Sequence, residues 1–171
     1  NVIMVGEIRD GETAELGVHA GLTGHLLLTT IHTNDVLGIV PRLIDLKVEP
    51  FLLAATFMLG IAQRLARKIC ADCKEPVVLP DSIIATMQEE LKHIPKRYLS
   101  PEINIATPLT FYHGRGCPKC GTTGYRGRVA VAEVLQATPN LSHLIASGFK
   151  IGDEVAKELS SQEMITMKQD A

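Results

Sequence analysis

Four cysteines form two C-x-x-C pairs, Cys70 with Cys73 in CADC and Cys117 with Cys120 in CPKC. A turn of this spacing lets two sulfurs approach one metal ion at about 2.3 Å, and two such turns complete the tetrahedral set that Zn²⁺ prefers. The long segment between the pairs is no obstacle, because loop-closure entropy grows slowly with length and metal binding offsets it. The spacing therefore favours a structural zinc site, with disulfides or redox-active dithiols as the alternatives.

A second candidate site involves an acidic residue and a histidine that follow two apolar runs. Glu7 comes just after VIMV (residues 2–5), and His32 comes just after HLLLTTI (residues 25–31). Ligands in open α/β sheets bind beyond the carboxyl ends of the strands, so we expect Glu7 and His32 to share one site. An acidic residue at the end of an apolar strand is one way to hold Mg²⁺ beside a nucleotide. The alternative is a solvated turn in which Glu7 pairs with Arg9.

His25 begins the second apolar run, seven positions before His32. On an ideal strand this odd spacing places the two side chains on opposite faces, so they are not expected to share one role. A structural histidine is the alternative for His25. His32 is followed by Thr33, Asn34 and Asp35, which favour the first positions of a helix. Helix N-termini attract anions such as phosphate, so this pattern favours a functional role for His32.

The elements that must position these residues can be predicted from the pattern. VIMV and HLLLTTI are continuous apolar runs, which is typical of strands buried on both faces of a parallel sheet. GETAELGVHAG (11–21) lies between them and predicts a helix that ends at Gly21. The polar residues 33–35 predict the start of a second helix, which runs to about Leu46 and contains Pro41.

The rest of the chain predicts a long helix, a proline-rich segment and a helical tail. Pro50 marks the start of a helix that reaches about Ile69. In the proline-rich segment, DSIIATMQEELK predicts a helix capped by Asp81. VAVAEVL (129–135) predicts a strand, NLSHLIASG predicts a helix that ends at Gly148, and one or two short helices follow. The alternation of strands and helices predicts an α/β fold.

Composition narrows the classes of function. Of 171 residues, 46% are hydrophobic, which is enough for a sizeable core. The 17 basic and 19 acidic residues give a formal net charge of −2, whereas nucleic-acid-binding proteins usually carry a basic excess. No segment reaches the roughly 18 consecutive apolar residues of a membrane helix. The chain begins at Asn1 inside an apolar run, and we expect it to be a piece of a longer protein.

Three motifs resemble the secretion-superfamily ATPases that power type II secretion and type IV pilus assembly. VGEIRDGETAE is similar to the Walker-B segment of that family, and GLTGHLLLTTIHTND is similar to its histidine box. AQRLARKICADC and GCPKCGTTGYRGRVAVAEVL resemble the tetracysteine zinc subdomain of the secretion and pilus-extension branch, which pilus-retraction members typically lack. The resemblance covers most of residues 1–136 and part of the tail.

The resemblance implies a fold and a set of site residues. The fold is α/β, a partial RecA-like parallel sheet with flanking helices, a small tetracysteine zinc subdomain and a helical C-terminal tail. Glu7 matches the Walker-B acid that organises Mg²⁺ through water, and His32 matches the histidine expected near the γ-phosphate. His25 matches the first histidine of the box, which supports the geometry of the site. Arg64 lies in a characteristic QRL element, without an expected catalytic role. The implied zinc ligands are Cys70, Cys73, Cys117 and Cys120.

The same resemblance implies three segments. Residues 1–69 are the distal part of the RecA-like ATPase core, residues 70–128 are an insertion held together by zinc, and residues 129–171 are a returning strand with truncated C-terminal helices. The chain contains no G-x-x-x-x-G-K-[ST] motif. The P-loop and the acidic box of the family lie upstream of this segment, so we expect the piece alone to be inactive.

The implied activity is that of a larger protein. The resemblance implies a homo-hexameric ATPase that hydrolyses ATP with Mg²⁺ and powers pilin or pseudopilin assembly. It also implies a cytoplasmic protein, peripherally associated with the bacterial inner membrane, whose partner is an inner-membrane platform protein; no nucleic-acid partner is expected. The alternative is a zinc-ribbon module that binds protein or nucleic acid and has no ATPase role.

Overall fold

The computed structural model describes residues 1–99 and 109–171. The chain divides into two compact units. The first comprises Asn1–Ala62 and Glu133–Met164, and the second comprises Gln63–Ala132 and Ile165–Ala171. The described residues of the predicted insertion, 70–99 and 109–128, belong to the second unit. Helices and strands are both present, as the sequence predicts for an α/β protein.

The first unit begins with a strand, a helix and a parallel strand. Strand β1 (Val2–Val5) pairs in parallel with β2 (Leu26–Thr29), and Val5 lies opposite Thr29 at the carboxyl ends. Helix α1 (Gly11–Leu22) connects them. Both predicted strands and the predicted helix are confirmed, although α1 continues one residue beyond Gly21. Because the strands are parallel and in register, the residues that follow them meet at one edge.

The expected burial of both strand faces is wrong. Val2 is 65% exposed and Met4 is 79% exposed, and Leu26 and Leu28 are exposed as well. The sheet that contains β1 and β2 has only two strands within the described residues. A two-stranded sheet has few neighbours to cover its faces, so the apolar run alone did not determine its burial.

Helix α2 (Ile39–Asp45) starts later than predicted. Its N-cap is Gly38, and no side chain caps it. Asp35 instead accepts a hydrogen bond from the Gly38 amide at 2.8 Å, in the turn before the helix. Pro41 therefore lies in the first turn of α2, where its missing N–H group has no intrahelical partner to lose. This placement accommodates the proline and explains the late start.

The predicted helix from Pro50 to Ile69 is wrong in its second half. Helix α3 (Pro50–Thr56) is short, and strand β3 (Leu59–Ile69) follows it. β3 pairs with β6 (Tyr125–Gln136), a longer strand than the predicted 129–135. The Ala137 amide donates to the Met58 carbonyl at 2.9 Å at one end of this pair. A partner strand distant in sequence thus overrides the helix propensity of GIAQRLARKI.

The C-terminal part of the first unit supplies much of its core. Helices α5 (Pro139–Ala146) and α6 (Asp153–Ser161) confirm the predicted helical tail. The largest fully buried apolar side chains of this unit come from the region around α2, from the end of β6 and from these two helices: Val36, Val40, Leu135, Leu141, Ile145 and Val155. None of the helices among the described residues combines the length and apolarity needed to cross a bilayer.

The second unit is built from small elements. Strand β4 (Lys74–Val77) pairs antiparallel with β5 (Phe111–Gly114). Helix α4 (Asp81–Lys92) confirms a prediction, although its N-cap is Pro80 and Asp81 lies in the first turn. The short helix α7 (Met167–Asp170) also belongs to this unit. The buried apolar residues described in the unit are few: Cys70, Cys73, Ile94 and Val131. Such limited burial indicates that the unit needs another source of stability.

Candidate functional site

Glu7 and His32 lie together beyond the carboxyl ends of β1 and β2. His32 Nε2 is 3.2 Å from Glu7 Oε2. The His32 side chain is 84% exposed and the Glu7 side chain is 31% exposed, so both are accessible to a ligand. The structure therefore brings together the acid and the imidazole that the sequence placed at one site.

Two hydrogen bonds hold the segments after the strands in position. The Thr30 hydroxyl donates to the Gly6 carbonyl at 2.7 Å, and the Ile8 amide donates to the Thr30 carbonyl at 2.8 Å. These bonds continue the pairing of β1 and β2 beyond the strands themselves. Glu7 lies between Gly6 and Ile8, which are both hydrogen-bonded to Thr30, and His32 lies two residues after Thr30. The backbone thus fixes the approach of the two side chains.

Arg9 is the second partner of Glu7. Its Nε lies 2.5 Å from Glu7 Oε2, the same oxygen that His32 approaches. The hydrogen bond from Arg9 lowers the pKa of Glu7 below its ordinary value of 4.5, and this effect outweighs the partial burial that raises it. Glu7 is therefore a carboxylate at neutral pH. Within the described part of the chain, Oε1 of Glu7 accepts no hydrogen bond, so it is available to a water molecule or a cation.

His25 lies at the other end of β2. It precedes Leu26, the first residue of the strand, whereas His32 follows the strand. Its Nδ1 is 3.1 Å from the Thr23 hydroxyl, at the end of α1. The structure therefore does not bring His25 to the Glu7–His32 pair, and its role in the geometry of that site stays a prediction.

The four cysteines converge on one point. Their sulfur atoms all lie within 4.8 Å of one another. Three separations are 4.0 Å for Cys70–Cys117, 3.9 Å for Cys73–Cys120 and 3.8 Å for Cys117–Cys120. A tetrahedron with metal–sulfur bonds of about 2.3 Å has an edge of about 3.8 Å. A disulfide requires sulfurs about 2.05 Å apart, and all four cysteines are free. The geometry fits a tetrahedral metal ion.

Backbone amides surround one of these sulfurs. The Cys117 and Gly124 amides donate to Cys120 Sγ at 3.2 and 3.3 Å. The hydrogen bond from Cys117 is the main reason that the pKa of Cys120 falls to about 6. Burial instead raises the pKa of Cys73 to about 12. Cys120 is therefore prepared to ligate as a thiolate, and Cys73 would need the charge of a metal ion to deprotonate.

The turns of the cysteine cluster require glycine. Gly116 has a φ of 92°, and Gly124 has a φ of 77°. A Cβ atom at Gly124 would lie 2.3 Å from the Gly114 carbonyl oxygen. This distance is too short for a carbon and an oxygen that are not bonded, so any side chain here would force the backbone to move. The backbone of β5 and the turn after the second cysteine pair thus approach each other so closely that only glycine fits at Gly124.

Asp72 links the two cysteine pairs electrostatically, and sequence reasoning missed it. It lies inside CADC and forms an ion pair with Lys119, which lies inside CPKC. Arg126 Nη1 is 3.9 Å from the same carboxylate. The hydrogen bond from Lys119 lowers the pKa of Asp72. The basic residues near the cysteines therefore neutralise a carboxylate beside the sulfurs. The sequence did carry a signal for this ion pair, because one C-x-x-C turn contains an acidic residue and the other contains a basic residue.

Glu133 is a second residue that sequence reasoning missed. It is 7% exposed on β6, and its Oε2 accepts a hydrogen bond from the Val36 amide at 3.0 Å. Val36 follows His32 by four residues, so Glu133 anchors the segment that carries the histidine. The signal in the sequence was an acidic residue within the apolar strand VAVAEVL, because a buried carboxylate needs a hydrogen-bond partner.

The sequence matches a known family along nearly its whole length. The model of the type II/IV secretion system protein family matches residues 1–170. Type II secretion system protein E of Dickeya dadantii is 39% identical over 171 residues, covering 99% of this chain and 30% of that protein. Type IV pilus assembly ATPase PilB of Myxococcus xanthus is 46% identical over 148 residues, covering 86% of this chain and 24% of that protein. The chain thus spans 24–30% of the length of these two curated relatives.

Solved structures share the fold. The pilus retraction motor PilT with bound ADP aligns with a TM-score of 0.56 and 23% identity, over 99% of this chain and 34% of that one. The Legionella pneumophila ATPase DotB aligns with a TM-score of 0.55 and 21% identity, over 99% of this chain and 33% of that one. The resemblance predicted from the three motifs is confirmed by the family match and by the curated relatives. The chain belongs to the type II/IV secretion system protein family.

Proposed function

We propose that this chain is part of a longer ATPase that hydrolyses ATP with Mg²⁺ to power pilin or pseudopilin assembly, in type II secretion or type IV pilus biogenesis. The observation that carries the proposal is the 3.2 Å approach of His32 to Glu7 at the carboxyl ends of two parallel strands. Relatives named as secretion and pilus assembly ATPases support it.

The residues of the pair fit a site for magnesium and triphosphate. Arg9 and His32 contact one oxygen of the Glu7 carboxylate, and the other oxygen would position water around Mg²⁺. His32 presents an exposed imidazole toward the same edge, where it would contact the terminal phosphate. Phosphoryl transfer to water depends on positioning and charge stabilisation rather than on covalent chemistry. Bound Mg²⁺ would neutralise part of the phosphate charge, and Glu7 and His32 would orient the water and the phosphate beside it.

The four cysteines are proposed to hold a structural Zn²⁺. The support is the tetrahedral spacing of the sulfurs, the amides that donate to Cys120 and the small apolar core of the second unit. Four ligands from the protein leave no open coordination position, which is typical of a structural site rather than a catalytic one.

The assembly and location are part of the same proposal. The parent protein would act as a homo-hexamer in the cytoplasm, peripherally associated with the bacterial inner membrane, and an inner-membrane platform protein would receive its motion. The near balance of charge, with a formal net of −2, supports a protein partner rather than nucleic acid.

Replacement of Glu7 by glutamine tests the proposal in the full-length protein. Glu7→Gln removes the negative charge while it preserves the shape of the side chain, so ATP hydrolysis should fall at least about a hundredfold while nucleotide binding remains. Glu12→Gln, an exposed acidic residue in α1, is the matched control. Turnover by Glu7→Gln equal to that of Glu12→Gln would remove Glu7 from the site.

A further inference from the structure

A positively charged groove is lined by residues of the second unit alone and shares none with the Glu7–His32 pair. It has a volume of about 250 Å³ and is lined by Arg67, Thr123, Tyr125, Gly127 and Arg128. Arg67 belongs to β3, and the last three residues belong to β6. Two guanidinium groups, an aromatic ring and a glycine without a side chain thus converge on one open space.

The two arginines of the groove have no acidic partner within the part of the chain that the structure describes. Among residues 1–99 and 109–171, Arg67 and Arg128 form no ion pair, whereas Arg9 and Arg126 each have an acidic partner. The Arg67 guanidinium lies over the Tyr125 ring, 4.1 Å from its centre. Stacking on an aromatic face orients a guanidinium and leaves its N–H groups at the edge free to donate. Arg67 is therefore preorganised to receive an anion.

The cysteine cluster fixes the ring on which Arg67 stacks. Thr123 accepts a hydrogen bond from the Tyr125 amide at 3.3 Å and donates to the Cys120 carbonyl at 2.7 Å. The next residue, Gly124, donates its amide to Cys120 Sγ and accepts from the Cys70 amide at 2.9 Å. The turn that carries Tyr125 is thus bonded on both sides to the metal-ligating segment.

The chemistry of the groove distinguishes between anions. Guanidinium groups bind carboxylate and phosphate through paired hydrogen bonds. Phosphate sites commonly add backbone amides, as at helix N-termini and glycine-rich loops. Two of the lining residues, Thr123 and Tyr125, already donate their amides to the Cys120 carbonyl and to the Thr123 hydroxyl, so the charged donors that the groove offers are its two arginine side chains. A planar carboxylate matches these groups better than a tetrahedral phosphate does.

We propose that the groove of Arg67, Tyr125 and Arg128 binds a carboxylate side chain from an acidic segment of a partner protein. The second unit then carries a protein-docking site that a bound structural metal keeps in shape. This site does not depend on ATP hydrolysis by the parent protein, because it shares no residue with the Glu7–His32 pair.

The test is peptide binding to the full-length, zinc-loaded protein, measured by isothermal titration calorimetry. The probe is an acetylated and amidated peptide of Glu, Asp and Gly, and the same peptide with Gln and Asn is its neutral counterpart. The acidic peptide should bind at low ionic strength, more weakly as salt increases, and the neutral peptide should not bind. Arg67→Gln and Arg128→Gln should each weaken binding at least about tenfold, since each removes a charged hydrogen-bonding group.

Arg97→Gln is the matched control. Arg97 also lies over a tyrosine ring, that of Tyr98, at 4.8 Å, but it does not line the groove. This variant should bind the acidic peptide as the unchanged protein does. Arg67→Lys should retain part of the affinity, because it keeps the charge and loses the paired donors. Zinc content and thermal unfolding of each variant establish that the second unit remains folded.

Four results would overturn the proposal. The first is that the acidic peptide does not bind, and the second is that Arg97→Gln loses as much affinity for the peptide as Arg67→Gln does. The third is that folded Arg67→Gln and Arg128→Gln bind the peptide as tightly as the unchanged protein. The fourth is that inorganic phosphate binds more tightly than the peptide. The last result would assign the groove to phosphate instead. None of these results bears on hydrolysis, which Glu7→Gln tests separately.

Discussion

His32 Nε2 lies 3.2 Å from Glu7 Oε2, although the two residues are 25 positions apart in the chain. Parallel pairing brings their strands into register, and the bond from the Thr30 hydroxyl to the Gly6 carbonyl extends this register into the loops. The contact is therefore a property of the sheet edge and not of local sequence.

Removal of the Thr30 hydroxyl should loosen this edge. In Thr30→Val the 2.7 Å bond to Gly6 is lost, and the carbonyl loses a partner at a cost of about 1 kcal/mol of unfolding free energy. ATP hydrolysis by the full-length protein should fall by roughly tenfold or more because His32 and Glu7 are held less closely. Thr29→Val, which removes only a local bond to Thr30, is the control for both assays. Equal activity of the two variants would show that the Thr30 bond does not position the pair.

Loss of one cysteine should unfold the second unit selectively. Cys117→Ser removes one of four ligands from a unit that has few buried apolar residues, so zinc content should fall from about one ion per chain and the unit should lose protection against hydrogen exchange. The first unit has its own apolar core and should keep its protection. A chelator should reproduce the effect in the unchanged protein. Full protection of residues 70–99 in Cys117→Ser would contradict a structural role for the metal.

Gly124→Ala should destabilise the same unit without removing a ligand. The added Cβ would lie 2.3 Å from the Gly114 carbonyl oxygen, and alanine disfavours a φ of 77°. We expect a loss of more than about 1 kcal/mol of unfolding free energy, together with weaker zinc retention against a chelator. Gly152→Ala is the control, because a Cβ there meets nothing within 4 Å and the φ of −179° is extended backbone. A Gly124→Ala variant as stable as the control would show that the turn can relax.

Glu158 should make the first unit sensitive to acid. Burial raises the pKa of this carboxyl, but hydrogen bonds from Thr138, Asn140 and Gln162, at 2.5, 2.6 and 2.7 Å, outweigh it, so the pKa lies below its ordinary value of 4.5. The folded state thus binds the proton more weakly than the unfolded state. The stabilisation is complete above the unfolded pKa and is lost as the pH falls through the folded pKa.

Comparison of Glu158→Gln with the unchanged protein isolates this effect. Thermal unfolding is followed from pH 7 to about pH 3, a range that spans the ordinary carboxyl pKa. The variant should be less stable at pH 7, and the difference in stability should shrink as the pH falls. Other carboxylates contribute equally to both proteins and cancel. A difference independent of pH would mean that Glu158 stabilises the fold without its charge.

Residue pattern alone predicted the elements that depend on local sequence. The strands that precede Glu7 and His32 follow from continuous apolar runs, and helix α1 and the helices of the tail follow from residues that begin or end helices, such as Gly21 near the end of α1. The structure adds that the Asp10 carboxylate accepts from the Thr13 amide at the start of α1. The convergence of four cysteines was predictable because a C-x-x-C turn restricts where its sulfurs can point. The strands, the helices and each single C-x-x-C turn arise from interactions within a few residues, whereas the two cysteine pairs are 47 positions apart and meet because one tetrahedral metal ion needs four ligands.

The remaining features depend on contacts between residues that are far apart in the chain. Residues 59–69 form β3 rather than a helix because a strand more than fifty residues later pairs with them, and backbone pairing of that kind leaves little mark on local composition. The bond from the Val36 amide to Glu133, 97 positions away, and the pairing of Asp72 with Lys119 likewise required the folded chain. Residue types and spacing were sufficient to name the candidate ligands and acidic groups, and the fold determined which of them meet, because contacts between distant residues depend on the path of the backbone.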